Sequence, residues 1–335
     1  MRIVPYGISA LACWITAYSR PSGRAKSDSR VLNDCAPTQG SIAYLHEQLP
    51  QIGLKPHVLC STPGQITRPY CITHTCTYPL PSGSFYPISR GVFLPSPELC
   101  IVQLARELPI EQVIFAARTL CSSFAIDPSA RSGLSSRKPL TTHERLADYL
   151  GRCPGLHGRK AALRALPHVR GCAASPPEVL LSMLLDLPSN LGGFGFSDAA
   201  TNLRLSPSLK AQGYSMRKTL IPDWCLPSAR VIVEYDSDAE HLSSEQALRD
   251  ATKRLAYEAD GYKVITITRS QLLSNSMMRD AAQEIARAAG IRLRCRSARF
   301  GEMQKRVYRS RFVLSDALDQ GWLRRVREDG GDNER

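Results

Sequence analysis

The sequence predicts a mixed α/β chain, in which an α/β domain with a mixed sheet flanked by helices follows a small α+β domain. From Ser175 onward, helical and strand patterns alternate in the order α-β-β-α-β-α, which is typical of a sheet covered by helices. Upstream, short strand-like runs are followed by two amphipathic helices. A hydrophobic content of 43% with 22% charged residues excludes wholesale disorder.

The small α+β domain is predicted over residues 1–126. It begins with an apolar run over 8–18, which is predicted to be a short amphipathic helix with a signal peptide as the alternative. A polar loop over 19–39 and a helix over 41–49 follow. Short strand-like runs, separated by Pro, Gly and Ser, are predicted at 57–60, 70–77 and 85–94. Ser96 and Pro97 then open a helix, because serine caps helices well and proline suits the first turn. A second helix is predicted to run to about Phe124.

Residues 127–174 are predicted to join the two domains. The segment 127–140 is rich in turn formers and is predicted to be a linker. A basic helical segment follows, and Thr141 with Glu144 has the spacing of a capping box at its start.

The α/β domain is predicted over residues 175–290, and a basic C-terminal extension over 291–335. The predicted elements are a helix over 175–187, paired strands over 214–226 and 230–236, a helix over 243–260, a strand over 263–268 and a helix over 276–289. The strand 263–268 (KVITIT) is apolar enough to be buried.

The charge balance and the cysteines limit the classes of partner and compartment. A formal net charge of +13 and a pI of about 9.4 favour anionic partners, with nucleic acid first and a membrane surface second. The eleven cysteines include no CxxC pair, which favours reduced core thiols and a cytoplasmic location. No apolar run reaches transmembrane length, so no membrane partner is expected.

Two carboxylates end an apolar strand in the predicted α/β domain. Because strand side chains alternate faces, Ile232, Glu234 and Asp236 share one face. Asp223 lies on the preceding strand, and a hairpin brings it beside Glu234. Like charges this close raise each other's pKa unless a cation neutralises them, and a divalent ion held by oxygen ligands is the simplest such cation. The alternative is that these acids are solvated where the strand leaves the sheet.

Four short motifs follow one another in this region: Ile221-Pro222-Asp223-Trp224, Glu234-Tyr235-Asp236, Arg249-Asp250-x2-Lys253-Arg254 and Gly261-Tyr262-x-Val264. Their order resembles the PD-(D/E)XK nuclease superfamily, and within it the very-short-patch-repair (Vsr)-like endonuclease domains of bacteria. The resemblance covers residues 175–270. It implies a restriction-endonuclease-like core and Mg²⁺-dependent cleavage of nucleic acid, with Asp223 and Glu234 as metal ligands.

The chain departs from this pattern at Asp236, where the superfamily often has a lysine and the Vsr-like branch tolerates its absence. Such a lysine orients the attacking water and offsets negative charge. Without it, His241, Lys253 and Arg254 are the candidate replacements, and a catalytically weak or inactive domain is the alternative. Asp236 is then expected to complete or tune the metal site.

Glu178 lies on the first helix of the domain, where the family often places an acid near the metal. Ser175 and Glu178 also have the spacing of a capping box, so Glu178 is predicted as a metal ligand, as part of a helix cap, or as both.

Basic residues predict the nucleic-acid contacts. Two of the predicted contacts, Lys253 and Arg254, lie on a helix. The others form a C-terminal cluster with aromatic residues among them: Arg292, Arg294, Arg296, Arg299, Lys305 and Arg306. A solvated charged surface is the alternative.

The N-terminal half carries Arg90-Gly91-Val92-Phe93 and Ser96-Pro97-Glu98-Leu99-Cys100, followed by a helix pair. This region, residues 40–125, resembles regulators of the AbiEi antitoxin type. The resemblance implies a DNA-sensing or protein-partner-binding role.

These observations lead to the expectation of a Mg²⁺-dependent DNA endonuclease of a defence, repair or mobile-element system. The main alternative is a non-catalytic nucleic-acid-binding regulator that keeps a nuclease-like scaffold. A protein-interaction module, in which the basic surface only aids solubility, is the third.

Overall fold

A computed structural model of the chain describes residues 2–17, 29–61, 67–236, 244–293, 295 and 298–323. The chain folds as two compact units. Unit 1 contains the described residues within Met1–Gly171 and Ser310–Arg335, and unit 2 contains those within Cys172–Arg309. Helices and strands are mixed in both, so the predicted α/β class is confirmed.

Unit 1 is built from helices and three small sheets. Its helices are α1 (Ile8–Ile15), α2 (Gln39–Gln48), α3 (Pro97–Glu107), α4 (Ile110–Leu120), α5 (His143–Arg152), α6 (Arg159–Ala165) and α13 (Phe312–Ala317). Its strands are β1 (His57–Cys60), β2 (Thr67–Arg68), β3 (Cys71–Thr75), β4 (Phe85–Ser89), β5 (Val92–Pro95), β6 (Phe124–Ile126) and β7 (Leu134–Ser136). In the first sheet β3 lies between β1, to which it is parallel, and β2, to which it is antiparallel.

The core of unit 1 is formed around α1, α3 and α4, which contact one another. Every residue of α1 after Ile8 is buried, and so are most residues of α3 and α4. As predicted, Ser96 caps α3 by accepting a hydrogen bond from the backbone N–H of Leu99. The N-terminal half therefore has its own packed interior.

Unit 1 differs from the prediction in two places. Residues 127–140, which were predicted to be a linker, contain β7. This strand pairs antiparallel with β6, and the two form a hairpin that belongs to unit 1. The cap of α5 is Thr142 rather than Thr141, because the Thr142 hydroxyl accepts from the backbone N–H of Arg145. The Thr141 hydroxyl instead donates to the buried Glu98 carboxylate, at 2.6 Å.

Unit 2 contains a four-stranded mixed sheet and flanking helices. Its strands are β8 (Ala200–Thr201), β9 (Trp224–Leu226), β10 (Val231–Asp236) and β11 (Lys263–Thr268). Its helices are α7 (Pro176–Asp186), α8 (Leu209–Ser215), α9 (Ser244–Ala259), α10 (Arg269–Leu273), α11 (Asn275–Ala288) and α12 (Ala298–Ser310), the last of which ends at the boundary of the unit.

The sheet of unit 2 has the order β11-β10-β9-β8. Strands β10 and β11 are parallel and are joined by α9 as a crossover, whereas β9 is antiparallel to both of its neighbours. One face of the sheet, through Cys225, Ile232 and Val264, packs against Ala256 and Tyr257 of α9. The site residues lie at the end of this face.

The predicted strand over 214–226 is wrong over most of its length. Only residues 224–226 are a strand, and residues 209–215 form the short helix α8, capped by the Ser208 hydroxyl. Between α8 and β9, Leu220 pairs locally with Leu205 and does not extend β9. The helix over 243–260, the strand over 263–268 and the helix over 276–289 are confirmed to within one residue at each end.

All eleven cysteines are free thiols, and nine of them are buried, in agreement with the prediction of reduced core residues. Among the helices that the structure describes, none has both the length and the apolar content that crossing a bilayer requires.

Candidate active site

Strands β9 and β10 bring two acidic residues together. Trp224 pairs with Val233 across the antiparallel ladder, so continuing the register by one residue places Asp223 opposite Glu234. The backbone N–H of Tyr235 donates to Asp223 Oδ2 at 2.7 Å and fixes this carboxylate at the end of β9. The hairpin therefore produces the predicted pair of acids from local strand geometry.

The two carboxylates lie in an environment that opposes their ionisation. Burial, followed by the charges of Glu234 and Glu178, raises the pKa of Asp223 to about 8. Burial also raises the pKa of Glu234, although the Lys253 ammonium partly opposes this shift. A pocket in which acids repel one another favours the arrival of a cation.

Helix α9 supplies the basic residue of the pocket. Lys253 Nζ lies 2.8 Å from Glu234 Oε2, and both side chains are about one-fifth exposed, at 22% and 20%. The ammonium also lies 5.7 Å from the centroid of the Tyr257 ring, one helical turn further along α9. Among the described residues, Lys253 is thus the predicted replacement for the strand lysine that contacts Glu234.

Tyr257 is a site residue that the sequence analysis missed. Its ring is almost completely buried, and a side-chain hydrogen bond between its phenol and the Glu234 carboxylate contributes to the pKa shifts of both groups. Burial, followed by the charge of Glu234, raises the pKa of the Tyr257 phenol. The available signal was its spacing of four from Lys253, which puts both residues on one face of α9.

Glu178 takes part in the cap of α7. Its Oε1 accepts from the Ser175 hydroxyl at 2.7 Å, and its Oε2 accepts from the backbone N–H of Ala174 and from Asn202 Nδ2. These hydrogen bonds hold the carboxylate at the helix start. Its negative charge nevertheless raises the pKa of Asp223, so Glu178 acts on the acid pair at a distance.

Asp236 is the last residue of β10 and is half-buried, and its expected part in completing or tuning the metal site stays a prediction. Although strand alternation puts it on the face of Glu234, it lies two residues further along, where β10 ends. His241, the other predicted assistant, lies outside the described residues.

The predicted four-carboxylate metal site is not preformed. Within the described residues, no group of three or more His, Cys, Asp or Glu side chains is arranged to hold a metal ion. Mg²⁺ demands less, since it usually keeps several waters and binds one or two carboxylates together with substrate phosphates. Asp223 and Glu234, two neighbouring and largely buried carboxylates, fit that smaller requirement.

The predicted nucleic-acid contacts are distributed over two helices. Arg254 forms an exposed ion pair with Glu258 at 3.0 Å, one turn along α9. The residues Arg299, Lys305 and Arg306 are exposed on α12, where Lys305 pairs with Glu302 at 2.8 Å. Arg292 is exposed before α12, whereas Arg294 and Arg296 lie outside the described residues.

Unit 2 thus holds Asp223, Glu234 and Lys253 in one partly buried cluster, with Tyr257 beside them. Comparison of the chain with protein-family models, with curated proteins and with solved structures finds no match in any of the three.

Proposed function

We propose that unit 2 is a metal-dependent endonuclease that hydrolyses phosphodiester bonds in DNA. The observation that carries the proposal is the convergence of Asp223, Glu234 and Lys253 on the hairpin β9–β10 and helix α9. Two carboxylates and an ammonium at one point supply both the negative charge that attracts a divalent ion and the positive charge that faces a phosphate. The basic charge of the chain favours the same substrate.

In this proposal Asp223 and Glu234 hold Mg²⁺ or another divalent cation. When bound, such an ion supplies a water of lowered pKa and neutralises charge on the phosphate. Asp223 is held in place by the Tyr235 N–H, and Glu234 is held by Lys253 through Oε2, with the Tyr257 phenol beside it.

Lys253 takes the role that a strand lysine has in many nucleases of this superfamily. Its ammonium pairs with Glu234 before substrate arrives and lies close enough to attract the scissile phosphate. The developing charge of the pentavalent phosphate is then stabilised by a group that is already oriented, which lowers the reorganisation cost. DNA cleavage in defence, repair or mobile-element biology would take place in the cytoplasm.

A non-catalytic nucleic-acid-binding regulator is the second candidate. It is favoured by one observation, namely that the described residues contain no preformed group of three metal ligands. In such a protein the Lys253–Glu234 ion pair would be structural, and the acid pair would be a remnant of a nuclease scaffold.

Incubation of the full chain with supercoiled plasmid separates these candidates. We expect nicked or linear product with Mg²⁺ or Mn²⁺ and none with EDTA. Asp223→Asn should lower the cleavage rate by at least about 10²–10³-fold, because it removes an ionic ligand. The variant keeps an oxygen that accepts from the Tyr235 N–H and relieves repulsion with Glu234, so its melting temperature in EDTA should not fall.

A second readout does not depend on cleavage. Titration with Mn²⁺ should raise the melting temperature of the wild-type chain and not that of Asp223→Asn. Cleavage that persists in both Asp223→Asn and Glu234→Gln would show that the pocket is not the source of activity. Binding of plasmid without cleavage, unchanged in these variants, would support the regulator instead.

A further inference from the structure

A basic loop of the chain ends just before Asp223. Leu205 and Leu220 exchange two backbone hydrogen bonds, of 2.8 and 2.9 Å, and so close a loop that contains α8. Leu220 precedes Asp223 by only three residues. We call residues 204–218 the α8 segment. Its base is therefore fixed to the chain that leads directly into the acid pair.

The α8 segment lies along the helix that carries Lys253. At its start, the Ser208 N–H donates to Asp260 Oδ2, just beyond the C-terminal end of α9. Further on, Ala211 belongs to the buried cluster that includes Ala256 and Tyr257, and α8 and α9 contact each other. The segment therefore packs on the helix that supplies Lys253 to the acid pair.

The segment itself carries positive charge and no acidic residue. It contains four cations, and no acidic residue occurs between Asp198 and Asp223. The four are exposed, and none forms an ion pair with another described residue: Arg204, Lys210, Arg217 and Lys218. A polyanion is the partner that such a surface fits.

Apolar and aromatic side chains project between these cations. Leu209 is 86% exposed, Met216 92% and Tyr214 46%. Met216 also adopts φ 53°, a left-handed conformation that is unfavourable for a bulky side chain. Exposed rings and apolar chains interleaved with cations are typical of surfaces on which nucleobases stack while the backbone is neutralised.

We propose that the α8 segment binds unpaired nucleotides of a nucleic-acid strand and leads that strand to the acid pair, an inference that rests on the proposed function. The Tyr214 ring stacks on a base, and Arg217 and Lys218 contact the adjacent phosphates. A closed duplex hides the faces of its bases, so this surface favours single-stranded or locally opened substrate. A second copy of the chain is a poor occupant, because the four cations of each copy would face one another.

Binding without metal tests the proposal independently of cleavage. The full chain in EDTA is titrated into fluorescently labelled 20-nucleotide DNA, either single-stranded or duplex, and anisotropy is recorded at several salt concentrations. We expect tighter binding of the single strand. Tyr214→Ala should weaken that binding by about 5- to 150-fold and change duplex binding less, because it removes one stacked base. Tyr214→Phe keeps the ring and should restore the affinity.

The phosphate contacts of the cations are tested with matched double variants. R217A/K218A should weaken single-strand binding and reduce the slope of log K against log salt by about 1.4, since each phosphate contact contributes roughly 0.7. The control K160A/R164A removes the same charge from exposed positions of α6 in unit 1 and should leave the slope unchanged. Melting temperatures of all variants show whether they remain folded.

Three outcomes would overturn the proposal. The first is tighter binding of duplex than of single-stranded DNA. The second is an equal loss of affinity for both DNAs in Tyr214→Ala. The third is a chain that binds no nucleic acid but dimerises with concentration, when L209D/M216D abolishes the dimer. If plasmid is cleaved and Tyr214→Ala still binds normally, only the role of the α8 segment fails. If Tyr214→Ala loses single-strand binding in a chain that never cleaves, only the endonuclease proposal fails.

Discussion

The lysine that faces the acid pair comes from a helix and not from the strand that carries Glu234. Its ammonium pairs with Glu234 Oε2 at 2.8 Å, although the two residues are nineteen positions apart in the sequence. The sequence left His241, Lys253 and Arg254 as alternatives because the rotation of α9 against the sheet depends on packing. Buried Ala256 and Tyr257 set that rotation, and Arg254 then points to solvent and pairs with Glu258.

Lys253→Ala is expected to lower the rate of plasmid cleavage by about 10²–10⁴-fold, because it removes the charge that orients Glu234 and faces the phosphate. The rate is measured by single-turnover cleavage at saturating Mg²⁺. Lys263→Ala is the matched control, since Lys263 also pairs with a glutamate, Glu284, but at an exposed position on β11. Equal losses in the two variants would contradict the role of Lys253.

The acid pair could be predicted from local rules, whereas its surroundings could not. Strand alternation and a short hairpin are sufficient to place Asp223 opposite Glu234. The same alternation places Asp236 on the face of Glu234, but alternation alone does not show where a strand ends or which acids an approaching helix will face. Tyr257 was missed because an aromatic residue in a helix more often belongs to the core, which is where most of its ring lies.

At the scale of elements, caps and strongly periodic helices were predictable, and short elements were not. Ser96 and Ser175 cap α3 and α7 as expected, because a cap depends on only four consecutive residues. Strand β7 has the sequence Leu134-Ser135-Ser136 and gives no alternation of apolar residues, so its region read as a linker. Helix α8 has only seven residues and depends on packing against α9.

Two glycines of unit 2 should respond oppositely to alanine. A Cβ at Gly192, which has φ 87°, would lie 2.4–2.6 Å from the backbone of Met303 and Gln304 in α12. Gly192→Ala should therefore destabilise unit 2 by about 1–3 kcal/mol or more. Gly301 lies in α12 with open space at its Cβ, and Gly301→Ala should stabilise by about 0.5–1 kcal/mol. Urea unfolding of both variants checks the two signs.

A pair of histidines joins β1 to β3 in unit 1. His57 Nδ1 and His74 Nε2 are 3.0 Å apart, and the ring of Tyr6 stacks on His74 with its hydroxyl donating to Glu107. Burial, followed by His57 and Arg106, lowers the pKa of His74 to about 4, and burial lowers the pKa of His57 against the opposing charge of Glu107. The folded state therefore binds fewer protons here than the unfolded chain.

The sign of the pH dependence follows. The contribution of the pair to stability is complete above pH 6.5, the unfolded value, and is lost as the pH falls towards 4. We expect unit 1 to lose about 1–3 kcal/mol over this range. His74→Gln should flatten the dependence of the urea midpoint on pH, whereas the exposed His143→Gln should not. Identical slopes in the wild type and His74→Gln would contradict this account.

At the scale of the whole molecule, unit 1 is discontinuous in sequence. Helix α13 contacts α1 and α4 and buries Val313, Leu314 and Ala317. After α13, the Asp319 N–H donates to the carbonyl of Gln51, and Trp322 is buried. The sequence predicted a basic extension for this region, because its charges dominate the composition and no local pattern reveals which distant surface an apolar face will meet.

A chain that ends at Ser310 should retain unit 2 and lose much of the stability of unit 1. Each buried side chain such as Val313 or Leu314 contributes about 1.5–3 kcal/mol that the truncation removes. Hydrogen exchange should show lost protection in α1 and α4 and unchanged protection in β10 and β11. A chain that ends at Leu323 keeps α13 and is the control. Unchanged protection of α1 in the shorter chain would contradict this prediction.

This discontinuity has a consequence for the order in which the protein matures on the ribosome. Unit 2 is contiguous, so it has all of its strands and helices once translation has passed residue 309. Unit 1, although it is translated first, must wait for α13 before its core can be closed. The earlier segment therefore closes its core last, which reverses the usual order in which successive domains fold during synthesis.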